Sequence, residues 1–122
     1  MTQIKKKLLI VQSKAPFGSS SIQESLDIVL AAGTFDQDIS LLIEGDACFQ
    51  LLKNQQPELI NRKNTTKMLQ ALPIYGVDKV LVCSESASLR KLTPTSHNNI
   101  FRFVSKDEIN TIYSESDTVI RF

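Results

Sequence analysis

Short apolar runs that alternate with helical patterns are the main feature of this 122-residue chain. Five segments rich in β-branched and aliphatic residues predict strands: Lys7 to Gln12, Ile39 to Ile43, Lys79 to Cys83, Ile100 to Val104 and Thr118 to Arg121. Between the first two, Ile22, Leu26, Val29 and Leu30 share one helical face. This alternation predicts an α/β fold: a single domain over residues 1–122, with a five-stranded, mostly parallel sheet covered by helices on both faces.

Capping signals mark the ends of two predicted helices. Ser21 and Glu24 have the spacing of a capping box at the start of the first helix, and Gly33 follows at its end. The helix predicted over Ser105 to Ser114 has the same signal, because Glu108 stands three residues after Ser105.

Further helices are predicted between the later strands. They are a short one over Ala47 to Leu52, a longer one from about Lys63 to Pro73, and another short one over Ser84 to Lys91. The segment Thr93 to Asn99 is polar and predicts a loop.

The carboxyl ends of parallel strands are the expected place for a functional site. Three strand exits should therefore share one rim of the sheet: Gln12 to Pro16, Glu44 to Asp46, and Cys83 with Ser84.

Cys83 is the most reactive group expected on this rim. Backbone dipoles at a helix start favour a thiolate, whereas an acidic neighbour such as Glu85 disfavours one. The apolar run Val80 to Val82 also fits a cysteine that completes a buried strand. A reactive and a purely structural Cys83 are both open at this point.

Other candidate chemistry is weaker. Cys48, next to Phe49, is expected to pack in the core, and we expect both cysteines to stay reduced. His97 is the sole histidine, so neither a zinc site nor a hydrolase triad is expected. The loop Ala15 to Ser21, with Lys14 beside it, resembles a phosphate cradle but matches neither GxxxxGK[ST] nor GxGxxG. A nucleotide- or flavin-binding module is therefore the weaker alternative, and no cofactor is expected.

Composition argues against other function classes. Fourteen basic and thirteen acidic residues give no strong field for nucleic acid or a membrane surface. Apolar runs such as Val80 to Cys83 are far shorter than the ~20 residues that span a bilayer. The apolar stretch after Lys5 to Lys7 ends at Gln12, too early for a signal peptide. These features predict a cytoplasmic protein without direct contact to nucleic acid or membrane.

Several segments resemble the TusC, or DsrF-like, branch of the DsrE/DsrF-like family. They are Ala15 to Gly18 with Glu24 to Asp27, Asp46 to Leu52, Val82-Cys83 with Ala87 to Arg90, and Val119 to Phe122. The resemblance covers essentially the whole chain. It implies the fold of that family and a heterohexamer with TusB and TusD, which passes persulfide sulfur from TusA towards TusE for 2-thiouridine at the tRNA wobble position.

The resemblance also bears on Cys83. In that family the sulfur-carrying cysteine belongs to the TusD subunit, which implies that a TusC-like chain is mainly a non-catalytic assembly partner. Cys83 occupies the matching strand end, so a persulfide carrier is the alternative. Relatives often have a glycine where this chain reads Arg90-Lys91-Leu92. An assembly subunit exposes apolar side chains, and the interface candidates are Phe17, Phe49, Ile74, Tyr75 and Phe122.

Overall fold

The computed structural model describes residues 6–15, 21–33, 38–51, 71–75, 77, 79–92 and 101–122. The elements in these ranges are β1 (Lys7–Gln12), α1 (Ser21–Gly33), β2 (Asp38–Ile43), the 3₁₀ helices η1 (Gly45–Leu51) and η2 (Leu72–Tyr75), β3 (Lys79–Cys83), α2 (Ser84–Leu89), β4 (Phe101–Val104), α3 (Lys106–Glu115) and β5 (Thr118–Arg121). No helix in this part of the chain is long and apolar enough to cross a membrane.

The five strands form one sheet in the order β4-β3-β2-β1-β5, and every neighbouring pair is parallel. The predicted fold class is therefore confirmed. β1, β3 and β5 have the predicted bounds. β2 begins one residue early, at Asp38, because its N–H reaches the Lys6 carbonyl at 3.2 Å and lengthens the pair with β1. β4 begins at Phe101, and the predicted first residue, Ile100, lies outside the described residues.

One face of the sheet packs against α1. Leu26 and Val29 of this helix are fully buried against Ile10 of β1 and against Leu41 and Ile43 of β2. Each such side chain contributes about 1.5 to 3 kcal/mol when it leaves water. The predicted apolar face of α1 is thus confirmed at Leu26 and Val29.

The predicted capping box at the start of α1 is not tested. Ser21 is the first residue of the helix, and both its side chain and residue 20 lie outside the described residues. The box of Ser21 with Glu24 therefore stays a prediction.

The opposite face packs against α3. Ile109 is buried there against Leu9, Val11 and Leu42. The Ser105 hydroxyl accepts the Glu108 N–H at 3.2 Å, and the Glu108 carboxylate accepts the Ser105 N–H at 3.5 Å. The second predicted capping box is therefore confirmed, and helices cover both faces of the sheet.

The C-terminus of α2 takes an unusual form. The helix ends at Leu89, two residues before the predicted end, and Lys91 has a left-handed φ of 58°. The Leu92 N–H donates to the Ala87 carbonyl at 2.9 Å, and the Lys91 N–H donates to the Ser88 carbonyl at 3.0 Å. These two bonds make a Schellman motif in which lysine takes the usual place of glycine.

Two predicted segments can be assessed only in part. The loop Thr93 to Asn99 and most of the helix from Lys63 lie outside the described residues. Near its predicted end the chain is already a 3₁₀ helix at Leu72, and Pro73 lies within that helix.

Candidate functional site

The carboxyl ends of β1, β2 and β3 meet at one rim, as predicted. The Glu44 N–H donates to the Gln12 carbonyl at 3.0 Å, which joins the first two strand exits. Gly45 has φ +57°, and a Cβ at its position would lie 3.2 Å from the Ser13 carbonyl oxygen. A side chain here would be strained and crowded, so glycine allows the second exit to pack closely on the first.

Cys83 links β3 to α2. It ends the strand in extended conformation, with φ −66° and ψ 113°, and it is the N-cap of the helix. Its sulfur accepts the Ser86 N–H at 3.5 Å, and the residue is 9% exposed. Cys83 therefore both completes a buried strand and satisfies a free N–H group at the helix start.

Side chains of α2 hold the second strand exit in place. The Ser86 hydroxyl accepts the Gly45 N–H at 3.0 Å. Arg90 donates to one oxygen of Asp46 from Nε at 3.1 Å and from Nη2 at 2.9 Å, and from Nη1 to the Ser86 carbonyl at 3.1 Å. The same guanidinium lies 6.0 Å from the centre of the Phe49 ring, within cation–π range. The exits of β2 and β3 are therefore interlocked.

A groove of about 300 Å³ opens beside Cys83. Lys106, Asn110 and Tyr113 line it from α3, at the i, i+4, i+7 spacing of a single helix face. Leu89 at the end of α2 also lines it and is 74% exposed. The groove thus places a nearly buried thiol beside polar donors and one exposed apolar side chain.

A charged network crosses this groove. Arg121 of β5 donates to the Glu44 carboxylate at 2.8 Å and to the Tyr113 hydroxyl at 2.7 Å. Burial, and secondly the Glu44 charge, raise the pKa of Tyr113 above its ordinary value. The phenol therefore stays protonated at neutral pH, and Arg121 balances the carboxylate charge.

A larger cavity, of about 440 Å³, lies at the opposite end of the strands, where β1, β2 and β3 begin. Its lining includes Lys7, Arg102 and Glu115, together with the ion pair of Lys79 with Asp38 at 2.9 Å. Charges of both signs meet there and largely offset one another. We place the candidate site at the Cys83 groove because, of the two cavities, only that one is lined by a cysteine thiol.

Cys48 plays a different part from Cys83. It is fully buried, and its thiol approaches the Ile43 carbonyl with a sulfur–oxygen distance of 3.9 Å. Burial, followed by the neighbouring Cys83, raises the pKa of Cys48 from 9.0 to about 12. This thiol stays protonated and packs as an apolar group, as the sequence predicted.

Comparison with known proteins identifies the family. The profile of the DsrE/DsrF-like family matches residues 6–122. The chain belongs to the DsrE/DsrF-like family. It is 36% identical to protein TusC of Buchnera aphidicola over 96% of this chain and 99% of that protein. It is 40% identical to the TusC homologue of Pseudomonas aeruginosa, over 70% of this chain and 71% of that protein.

One further relative and one solved structure are also similar to this chain. The intracellular sulfur oxidation protein DsrF of Allochromatium vinosum is 28% identical, and the match covers all of both chains. The crystal structure of the ychN protein from E. coli superposes with a TM-score of 0.82 at 23% identity, covering 98% of this chain and all of that one. The latter supports the DsrE/DsrF-like fold, and the sequence resemblance to the TusC branch is confirmed.

The interface candidates of this DsrE/DsrF-like chain occupy varied positions. Ile74 is 84% exposed, Phe49 is half-buried under Arg90, and Phe122 packs partly buried against the core. Phe17 and the side chain of Tyr75 lie outside the described residues, as do His97 and most of the loop after β1. Their role in subunit contacts stays a prediction.

The sequence interpretation did not include the far wall of the groove. Tyr113 and Arg121 come together only after α3 packs across the sheet, and Arg121 is 77 positions from its partner Glu44. The spacing of Lys106, Asn110 and Tyr113 was visible in the sequence. However, a polar helix stripe ordinarily indicates a solvated face, so this signal alone did not identify a site.

Proposed function

We propose that this chain is a subunit of a sulfur-relay complex that passes persulfide sulfur for 2-thiolation of the tRNA wobble uridine. Its main role is structural: it completes the assembly around a sulfur-carrying sister subunit and is not itself the catalyst. The nearly full-length similarity to proteins named TusC supports the complex, and the similarity to a sulfur oxidation protein supports the chemistry.

The burial of Cys83 is the observation that supports the structural role. A carrier thiol must reach a sulfur atom of another protein, but this residue is 9% exposed and its sulfur serves as the cap of α2. In this proposal the partners of the chain are TusB and TusD, with which it forms a cytoplasmic heterohexamer. TusA donates sulfur to this complex and TusE accepts sulfur from it. The exposed Ile74 and Leu89 supply apolar surface of the kind that subunit contacts bury.

A second candidate function is favoured by the groove. Because Cys83 lines it, a partner persulfide that enters the groove can meet this thiol. In that reaction the Cys83 thiolate attacks the outer sulfur of the donor persulfide, and the donor S–S bond breaks. The donor leaves as a thiol that takes up the proton lost from Cys83, and Cys83 becomes the persulfide.

Two substitutions of Cys83 distinguish these functions in the coexpressed complex. Cys83→Ser removes the sulfur but keeps an oxygen that can accept the Ser86 N–H, and serine is a favoured N-cap. Cys83→Ala removes both the sulfur and the cap. The measurements are 2-thiouridine in digested tRNA by mass spectrometry and assembly by size-exclusion chromatography.

The structural role predicts that Cys83→Ser keeps full thiolation. Cys83→Ala then lowers thiolation only as far as it lowers the yield of assembled complex. Loss of thiolation in Cys83→Ser with an intact assembly would refute the structural role and support the carrier. A complex that forms and thiolates tRNA without this chain would refute both.

A further inference from the structure

The Ser86 backbone N–H donates a hydrogen bond to the Cys83 sulfur. That bond is 3.5 Å long, and Cys83 as a whole is 9% exposed. The position of Ser86 therefore determines whether the thiol stays capped beneath the first turn of α2. α2 has six residues, which is too short to hold this turn by its own hydrogen bonds.

The Ser86 side chain is tied to a different strand exit. Its hydroxyl accepts the N–H of Gly45 at 3.0 Å. Gly45 packs closely on the first strand exit, since a Cβ at its position would lie 3.2 Å from the Ser13 carbonyl oxygen. The Ser86 carbonyl is held as well, through Arg90, which reaches across to Asp46. Both links join the Ser86 turn of α2 to the first residues of η1, directly after β2.

We propose that Ser86 is a positioning residue that sets the accessibility of the Cys83 thiol. Its hydroxyl ties the first turn of α2 to Gly45, and this tie keeps the Ser86 N–H on the sulfur. Loss of the hydroxyl frees the turn, so the turn opens more often and exposes the thiol to the groove. The proposal holds whether Cys83 carries sulfur or only caps the helix.

The test measures the alkylation rate of Cys83 by iodoacetamide in the folded, full-length chain, by mass spectrometry of the peptide that contains it. Cys48 is an internal reference, because it is fully buried and reacts only when a larger part of the protein opens. Ser86→Ala should raise the Cys83 rate about fivefold, the factor expected for loss of one ordinary hydrogen bond. The Cys48 rate should not change.

Two further variants complete the test. Ser86→Thr retains a hydroxyl and should restore the slow rate. Ser88→Ala, at an exposed position of the same helix, should leave the rate unchanged. An unchanged Cys83 rate in Ser86→Ala would overturn the proposal. Equal acceleration of both cysteines would overturn it too, since that indicates general unfolding. So would failure of Ser86→Thr to restore the rate, because packing and not the hydroxyl would then be responsible.

Discussion

Replacement of Gly45 by alanine tests the close packing of the strand exits. A non-glycine residue in the left-handed region costs about 1 to 2 kcal/mol, and the new Cβ would lie 3.2 Å from the Ser13 carbonyl oxygen. Alanine also lowers the conformational entropy of the unfolded chain, which offsets the loss of stability by about 0.4 to 1 kcal/mol. Because the Ser13 carbonyl belongs to the backbone, the crowding is hard to relieve, and we expect a net loss of about 1 to 2 kcal/mol in the free energy of unfolding.

Urea denaturation measures this loss directly, and thermal unfolding gives a second value. With an unfolding entropy of about 2.1 cal/mol/K per residue, 122 residues convert the loss to a Tm lower by about 4 to 8 °C. Gly45→Asn is the matched control. Asparagine tolerates the left-handed region but has the same Cβ as alanine. Gly45→Asn should therefore be more stable than Gly45→Ala, because the backbone strain is smaller, but less stable than the wild type, because the Cβ still crowds the Ser13 carbonyl. If Gly45→Ala unfolds at the wild-type urea concentration, the argument from φ and close approach is refuted.

Four further predictions concern other parts of the structure. Lys91→Gly should raise the free energy of unfolding by about 0.5 to 1 kcal/mol, because glycine suits the left-handed position after α2; a decrease in urea unfolding would contradict this. Ser105→Ala should lower it by about 1 kcal/mol and Ser105→Asp should not, as the N-cap acceptor is lost only in alanine. Glu44→Gln should bring the pKa of Tyr113 closer to its ordinary value, measured by ultraviolet titration against Tyr113→Phe; an unchanged pKa would exclude the Glu44 charge as a cause. Since folding raises the pKa of Cys48 from 9.0 to about 12, its contribution to stability is full below pH 9 and is lost as the pH rises towards 12; Cys48→Ala should lose less stability over that range.

The parts of the fold that could be predicted from the sequence are those with local causes. β1, β3 and β5 were predicted to the residue because each is a short aliphatic run bounded by polar residues. The capping box of Ser105 and Glu108 needs only two side chains three positions apart. The alignment of strand exits followed from the parallel arrangement alone, which brings carboxyl ends together in any order of strands.

The remaining parts depend on contacts between distant residues. The Schellman motif at Lys91 was not predicted either, because lysine rarely takes a left-handed φ and so gives no sign of the helix end, although the hydrogen bonds that close α2 are local. The hydrogen bond between Gly45 and Ser86 joins residues 41 positions apart, and no sequence pattern in either segment predicts it. The groove likewise exists only because α3 packs near α2 after β4 has joined the sheet.

The two uses of Cys83 make opposite demands on a single sulfur atom. A cap is most useful when its sulfur stays beneath the first turn of α2, whereas a carrier is most useful when its sulfur is free to meet a partner. In both roles the Ser86 N–H is the group that holds the sulfur in place. The difference between the two roles is therefore one of access, and access depends on how often the turn held by Ser86 and Gly45 opens. A partner that displaces the start of η1 would shift that equilibrium. Alkylation of Cys83 should therefore differ between the isolated chain and the assembled complex if this subunit carries sulfur, and should be equally slow in both if it only supports the assembly.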